Sequence, residues 1–483
     1  MTSLRWRHLP VMCALALASW SCAVGPDFVR PSPPMTTDYT PGSPPKVLSP
    51  GAAEVEQRVQ VAAEISSAWW QLFRSPALDD VVKRALADNR SLAQARATLA
   101  QSREFVNAAR GAYYPQIDAN GSAQYQAELE RNGWKFESQN GSTAYSVGAT
   151  VSYVVDVFGG VRRNVEQQSA LAEFQRYELA AAWLTLTGNA VTQSISIASL
   201  RAQIEAVEDV VADDTRSLDL VQRKYDAGKV AKSDVLTAST QLASDQAQLP
   251  PLRQRLAAAQ HALSVLAGKL PAAWAPPDFQ FADFTLPVEL PLSLPSELVR
   301  QRPDILASEA DLHASSAAIG VATANLFPSL TLSGGVSLAE SAAIFNGPGA
   351  GYSLAAQLLQ PVFHGGTLRA QRRAAIDAYD ASLASYEQTV LVAFQQIADT
   401  LRALDHDAEL VAAEQRLLST AEEALALQRL RYEAGKIDLL DLLDAQRSYG
   451  QARLGVAQAQ GQQLTDTATL YVGLGGGWWG AEI

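Results

Sequence analysis

One stretch of this 483-residue chain occurs twice, and that repetition limits what the chain can fold into. Arg223-Lys224-Tyr225-Asp226-Ala227-Gly228-Lys229 returns as Leu430-Arg431-Tyr432-Glu433-Ala434-Gly435-Lys436. The match continues at the same offset, Asp234-Val235-Leu236-Thr237-Ala238 against Asp441-Leu442-Leu443-Asp444-Ala445. Earlier in each copy, Tyr113-Tyr114-Pro115 corresponds to Leu326-Phe327-Pro328, and Phe158-Gly159-Gly160 to Phe363-His364-Gly365-Gly366. Landmarks in the same order define a duplicated unit of roughly two hundred residues, far longer than the repeats of about 20–50 residues that build solenoids.

Each unit reads the same way. A helical stretch (91–112, then 300–326) precedes a strand pair (115–157, then 328–363). Two long helices follow, 161–226 and 233–268 in the first unit, 367–433 and 438–474 in the second. Prolines cluster before the first unit and between the two, and both clusters read as extended linkers. The expected organisation is therefore a leader at 1–21, an N-terminal extended segment at 22–66, a first repeat at 67–270, a linker at 271–295, a second repeat at 296–475 and a tail at 476–483. The glycines at 475–477 suggest that this tail is flexible.

The strands alternate strictly. Ile117, Ala119, Gly121, Ala123, Tyr125, Ala127 and Leu129 are apolar or small, and their neighbours Gln116, Asp118, Asn120, Ser122, Gln124, Gln126 and Glu128 are polar. The runs 145–155, 330–338 and 352–358 repeat the pattern. Strands of soluble proteins average about five or six residues, whereas a strand that crosses a membrane needs about 9–11 and carries aromatics at its ends. Tyr113, Tyr114, Phe158, Phe327 and Phe363 occupy those ends. A soluble sandwich with one wet face would explain the alternation but neither the length nor the attached helices. Four strands cannot close a barrel, since known membrane barrels begin at about eight, and lipid does not tolerate an open sheet edge. A wall of this kind must be shared between copies. Two copies would fill their interior with side chains; three, with twelve strands, would leave a pore.

The stretch 161–226 holds no proline and a single internal glycine, Gly188. A helix of that length rises on the order of 100 Å. Val235, Leu242, Leu249, Leu256 and Leu263 recur every seven residues, and Leu383, Tyr386, Val390, Ala393, Ile397, Leu401 and Leu404 form a similar seam, as coiled coils require. A plain helical bundle would satisfy the same pattern. Pro250-Pro251 interrupts the first seam and predicts a bend. Between paired helices, Gly228 and Gly435 are placed to end one helix, and Ser233 and Asp438 to cap the next.

Arg5 and Arg7, then the apolar run Leu9–Ala18, then Ser21-Cys22, read as an export signal that ends at a lipid-bearing cysteine. The chain has two cysteines; Cys13 falls inside the leader, so no internal disulfide can form in the mature protein. A formal net charge of −12 speaks against nucleic acid as a partner. No later run is long and apolar enough for a membrane-spanning helix. The five histidines are scattered without metal-ligand spacing, and no nucleophile elbow or phosphate loop is present. Neither an enzyme nor a metal site is expected. Arg162-Arg163 and Arg372-Arg373 are read as solvated or headgroup-facing pairs.

Cys22-Ala23-Val24-Gly25-Pro26-Asp27-Phe28, then Arg302-Pro303-Asp304-Ile305 with Gly320-Val321-Ala322 and Phe327-Pro328, then Leu470-Tyr471-Val472-Gly473-Leu474-Gly475-Gly476-Gly477-Trp478, resemble in this order the outer-membrane efflux lipoproteins related to TolC and OprM. The resemblance spans essentially the whole mature chain. It implies an α+β membrane protein: a homotrimer whose twelve strands form a barrel in the bacterial outer membrane, continuous with a long periplasmic α-helical barrel. It implies a lipid on Cys22 as the sole attached group, and Ala23 after it suits outer-membrane sorting. It implies a periplasmic membrane-fusion adaptor and an inner-membrane resistance-nodulation-division pump as partners, with the turns at Gly228, Lys229, Gly435 and Lys436 meeting the adaptor. It places a periplasmic gate at Asp234, Asp441, Asp444 and Tyr432, where like carboxylates around one axis would narrow the pore and favour cations. Each aspartate has a second reading as a helix cap or a solvated first-turn residue. The basic gating residue of the TolC pattern falls on Ile437 here, so an ionic latch at that position is absent. The expected function is a passive duct for small-molecule efflux. A protein-secretion channel and a non-conducting periplasm-spanning lipoprotein remain as alternatives.

Overall fold

The structure is a computed structural model that describes residues 23–34, 36, 38–39, 57–61, 65–132, 134–341 and 349–481. The expected leader and Cys22 lie outside the described residues. The chain divides into two compact units, and neither follows a single repeat. One takes the described residues of Met1–Pro31, Thr98–Gln175 and Ser308–Tyr386; the other takes those of Ser32–Ala97, Arg176–Ala307 and Glu387–Ile483.

The elements in order are β1 (Arg58–Val61), α1 (Pro76–Asp88), α2 (Arg90–Gly111), β2 (Gln116–Asn132), β3 (Lys135–Val155), α3 (Gly160–Asp226), α4 (Lys232–Gln246), α5 (Leu249–Leu266), β4 (Glu289–Leu292), α6 (Pro295–Gln301), α7 (Pro303–Ala324), β5 (Ser329–Ser341), β6 (Gly349–Leu359), α8 (Thr367–Glu433) and α9 (Leu439–Gly473). The duplication is visible in the lengths, because α3 and α8 are each 67 residues long. No described helix is long and apolar enough to cross a membrane.

The first unit holds the two hairpins side by side in one antiparallel sheet of order β2-β3-β5-β6. Its register lines up residues of like polarity. Ala119, Ala149, Val336 and Tyr352 form one row across the four strands, and Asp118, Thr150, Gly335 and Ser353 form the next. Period-two alternation then sends every apolar row to one face and every polar row to the other. The polar face is laced by hydroxyls such as Ser122 and Ser146, 2.8 Å apart. The apolar face is uncovered: Ile117, Tyr145, Val147, Val336, Tyr352 and Leu354 are all exposed. The outer strands β2 and β6 each pair on one side only. Phe158 and Phe327, one from each repeat, stack at 4.8 Å where strands meet helices.

Two arginines at the start of α3 do different work. Asp156 caps that helix, accepting from the amides of Val161 and Arg162 at 3.0 and 2.9 Å, and also binds the Arg162 side chain. Arg163 is buried instead of facing solvent or headgroups. Its guanidinium donates to the carbonyl of Val24 (3.2 Å), to Asp27 (2.7 Å) and to Glu166 (2.8 Å), and so fastens the N-terminal segment. A buried guanidinium needs this many acceptors, because an unpaired charge there would be very costly. Phe28 stacks on His313 at 4.4 Å, and Arg30 pairs with Glu309 at 2.6 Å, so the segment is strapped along its length.

In the second unit the seam predicted on α8 is buried: Tyr386 apart, which belongs to the first unit, Val390, Ala393, Ile397, Leu401 and Leu404 all lie in the core. The bend predicted at Pro250-Pro251 is a break. α4 ends at Gln246 and α5 restarts at Leu249, with the prolines in its first turn, where a missing N–H costs nothing. The corresponding α9 runs unbroken for 35 residues. The proline-rich segments are not free linkers. β1 from the first pairs in parallel with β4 from the second, Arg58 opposite Glu289 through Val61 opposite Leu292. Asn89 ties α2 to α5, accepting from the Leu92 amide (3.0 Å) and donating to the Leu266 carbonyl (2.9 Å). Trp69 is fully buried and stacks on Tyr471 at 5.5 Å.

The tail is not flexible as the glycine run suggested. Gly475, Gly476 and Gly477 all have positive φ. The space for a side chain is taken: a Cβ on Gly476 would lie 2.4 Å from Leu184 Cδ1, and one on Gly477 would lie 2.4 Å from the Ile65 carbonyl oxygen. Trp478 then donates its indole N–H to the Gln301 carbonyl at 2.7 Å. The glycines are there because backbone must approach core closely in a left-handed conformation. Gly476→Val should therefore cost about 1–3 kcal/mol or more by overpacking and strain. Thermal unfolding of the purified protein checks this; an unchanged midpoint would show that the tail is not docked.

Candidate functional site

The turns between paired helices carry the residues singled out in the sequence. α3 and α8 end alike. Gly228 and Gly435 adopt φ of 70° and 68°, with no neighbour near a would-be Cβ, so the glycine requirement is purely conformational. Lys229 N–H donates to the Lys224 carbonyl and Gly228 N–H to Tyr225, both at 2.8 Å. Lys436 to Arg431 and Gly435 to Tyr432 repeat the pattern at 2.8 and 3.1 Å. These paired bonds are the Schellman arrangement, which uses up carbonyls left over at a helix end. Lys229 and Lys436 are exposed on the two turns.

The next helices start differently. Asp438 caps α9 as expected, accepting from the Asp441 amide at 3.1 Å. Ser233 does not cap α4, because the helix already begins at Lys232, with Ala231 at the cap position. Ala231 has no side-chain acceptor, and Asp234 compensates by reaching back to the Ala231 amide at 3.3 Å. Asp234 is thus engaged in holding a helix start, the second of its two readings. Asp441 and Asp444 are both exposed. Asp444 pairs with Arg447 of its own helix at 2.7 Å, and such an exposed pair is weak and easily screened.

Tyr432 is a core residue of this end. It is buried with Val221, Ala238, Leu425, Leu439, Leu442 and Leu443, and Ile437 packs against the same cluster. Where the resemblance led to the expectation of a basic residue, the chain therefore has an apolar contact. The Lys224 ammonium sits 3.7 Å from the Tyr432 ring centroid and also reaches the Tyr432 carbonyl at 3.4 Å. Cation–π attraction of this kind is worth about 0.5–2 kcal/mol. The Tyr432 hydroxyl is buried without a hydrogen-bond partner. Burial, then the negative charge of Asp234, raise its pKa above the ordinary tyrosine value, so the phenol stays neutral at physiological pH. Its contribution to stability is lost only as pH rises past the unfolded value of about 10. Beside it lies a cleft of about 700 Å³, lined among others by Lys224, Lys229, Asp234, Tyr432 and Asp438.

The structure thus brings Tyr432, Asp234, Gly435 and Lys229 to one cleft, and leaves Asp441 and Asp444 on the exposed side of α9. Lys224 was missed in the sequence. Its counterpart in the repeat, Arg431, reaches only Gln428, and Tyr225 is exposed. The substitution of one basic residue for another between copies was the available signal. Among the described residues no group of three or more potential ligands is placed to hold a metal ion. Because the Tyr432 hydroxyl has no partner, Tyr432→Phe should fold as stably as the parent, within about 1 kcal/mol, whereas Tyr432→Ala should lose about 3–5 kcal/mol. Chemical denaturation of both variants measures the difference; a large loss in the Phe variant would reveal a partner for the hydroxyl.

A sheet with one apolar and one polar face, two unpaired edges and helices of 67 residues attached to its strands defines a subunit of an outer-membrane channel. The family model described as outer membrane efflux protein matches residues 81–269 and 294–476, one match for each repeat, and the chain belongs to that family. The pyoverdine export outer membrane protein OpmQ of Pseudomonas aeruginosa is 32% identical over 448 residues, covering 90% of this chain and 94% of its own. The cation efflux system protein CusC of Escherichia coli is 28% identical over 479 residues, 97% of this chain and 98% of its own. The solved outer-membrane channel OprN superposes with a TM-score of 0.82 at 28% identity, over 95% of this chain and 100% of that one. The protein is an outer-membrane efflux channel. These relatives are channel and efflux proteins, not enzymes.

Proposed function

We propose that three copies of this chain form one pore, that the pore is the exit duct of a tripartite efflux pump, and that Cys22 carries a lipid. The single observation that carries the reading is the pair of free edges, β2 and β6, on a sheet whose apolar face is uncovered. In lipid each unpaired amide or carbonyl costs several kcal/mol, so β6 of one copy must pair with β2 of the next. Three copies give twelve strands and a lumen lined by the polar rows. The duct has no energy source of its own. An inner-membrane pump of the resistance-nodulation-division type would drive export, and a periplasmic adaptor would engage the exposed turns at Lys229 and Lys436. The relatives are named for exporting pyoverdine, solvents and cations, which share no chemistry. A duct that is indifferent to cargo fits that range, and small molecules are the proposed cargo.

The lipid reading has support from the strap. The Val24 amide donates to the Phe158 carbonyl at 3.1 Å, and a Cβ on Gly159 would lie 2.6 Å from the Cα of Ala23. Residue 23 is therefore pinned where strands give way to helices, which is where acyl chains on the preceding cysteine would reach the bilayer. Ala23, in place of a sorting aspartate, suits the outer membrane.

Asp441 and Asp444 are the proposed selectivity ring, because both are exposed near the turn and the pair that Asp444 makes with Arg447 is a weak surface one. The detergent-extracted protein should have the mass of a trimer, and in planar bilayers it should form cation-preferring channels. Asp441→Ala combined with Asp444→Ala should raise leak conductance severalfold and weaken cation preference. A dimer, or a silent bilayer, would overturn the channel reading; unchanged leak and selectivity in the double variant would overturn the ring.

A further inference from the structure

Two pairs of aspartates face one another across helix seams away from the turns, and the efflux reading gives them no role. Asp214 on α3 is 2% exposed, and neither of its carboxyl oxygens has a hydrogen-bond partner. Its neighbour across the seam is Asp245 at the end of α4. Asp245 is itself 7% exposed and accepts from two amides, Gln241 Nε2 on one oxygen and Gln248 Nε2 on the other, both at 2.7 Å. Both oxygens of Asp245 are thus engaged as acceptors, which casts it as the acceptor of the pair. Asp214 can be satisfied in that burial only by carrying a proton and donating it to Asp245. The arrangement recurs between the other two helices. Asp407 on α8 is buried with one unpartnered oxygen and meets Asp466 on α9, which is half-buried and accepts from Gln462 at 2.9 Å. In both cases a glutamine one turn earlier orients the acceptor aspartate, as Gln241 does for Asp245 and Gln462 for Asp466. The two pairs do not occupy equivalent positions of the duplication, so the motif arose separately in each copy.

We propose that each pair is a proton-binding site that buttons a long helix to its returning partner, and that losing the shared proton loosens the helices leading to the turn. Among the described residues no ion pair brings a cation to Asp214 or Asp407. On α3 the neighbouring Asp213, whose charge also bears on Asp214, is already held by Arg216 and by Arg429 from α8, and Ser217 one turn on accepts from the uncharged Gln446 of α9. Across from Asp407 the facing charge is Asp466, while His406 and Glu409 pair with each other on the exposed side. Burial first, then the acceptor aspartate, push Asp214 up to about 8 and Asp407 up to about 7.

The sign follows. These acids are neutral in the folded protein but ionised in the unfolded chain from about pH 4, so folding stability falls as pH rises through that window. Above about 7 and 8 they ionise in place, and each then sets a buried negative charge beside a second aspartate, in a buried seam at Asp245 and a half-buried one at Asp466. Alkaline pH should therefore open what neutral pH holds shut.

Infrared spectroscopy of the full-length protein in heavy water tests the proton directly. Protonated carboxyl absorption should be present at pH 6 and lost by pH 9.5, and each of Asp214→Asn and Asp407→Asn should remove part of it. In planar bilayers the wild-type leak should rise severalfold with alkalinity, and the step near pH 8 should vanish in Asp214→Asn, whose amide can still donate to Asp245. Absence of the carboxyl band in wild type at pH 6, which needs no variant, overturns the proposal; so does a pH step that is identical in both Asn variants. The infrared result is independent of conduction, so a silent bilayer with the band intact counts against the channel reading alone.

Discussion

A β-strand in lipid has nowhere to put an unpaired amide, and the rest of this molecule is arranged around that fact. β2 and β6 present such edges, and the apolar rows ending in Tyr352 and Leu354 have nothing covering them within the subunit. The subunit is thus incomplete by construction. Duplication supplies two hairpins where one would make too narrow a strip, and the β3–β5 pairing joins the copies into a single sheet. The same duplication sends two helices of identical length away from the wall, each returning through the same glycine-closed turn.

Much of this was legible in the sequence because the governing signals are periodic. Strict alternation placed the four strands and their faces, although β3 starts ten residues before the run that announced it, and proline-free stretches fixed α3 and α8 almost to the residue. The proline pair at 250–251 marked a real interruption. Features that depend on distant partners were not legible. The burial of Arg163 needs Val24 and Asp27, more than a hundred residues away. The β1–β4 pair joins two segments that look like linkers because four-residue strands carry too little pattern to register. The glycine run at 475–477 reads as flexible in sequence, since nothing local shows that Leu184 and Ile65 occupy the space beside it.

The turn region was legible in outline and not in detail. Equivalent glycines and lysines announced equivalent turns. Local spacing could not show that Ala231, lacking a side-chain acceptor, leaves Asp234 to reach back for the helix start, nor that Lys224 lies on the ring of Tyr432. The buried aspartates were missed altogether, because a lone Asp in a helical stretch is indistinguishable from a surface residue until its neighbour across the seam is known. Tyr432, by contrast, stood out in the sequence and turns out to anchor a hydrophobic cluster that Ile437 joins. Packing therefore holds this end of the subunit together more than ionic contacts do.

The break between α4 and α5 gives the two repeats different mechanics. At 250–251 the backbone has no amide hydrogens to lose, so flexing there sacrifices little, while the 35 residues of α9 would have to rupture helical hydrogen bonds to bend. One return arm is jointed and the other is a strut. Asp245 sits in the last turn before the joint, with Gln248 inside it, so the charge of the Asp214–Asp245 pair is felt beside the place where the helix is already interrupted. The two return arms of the duplication are therefore unequal, one interrupted and the other continuous.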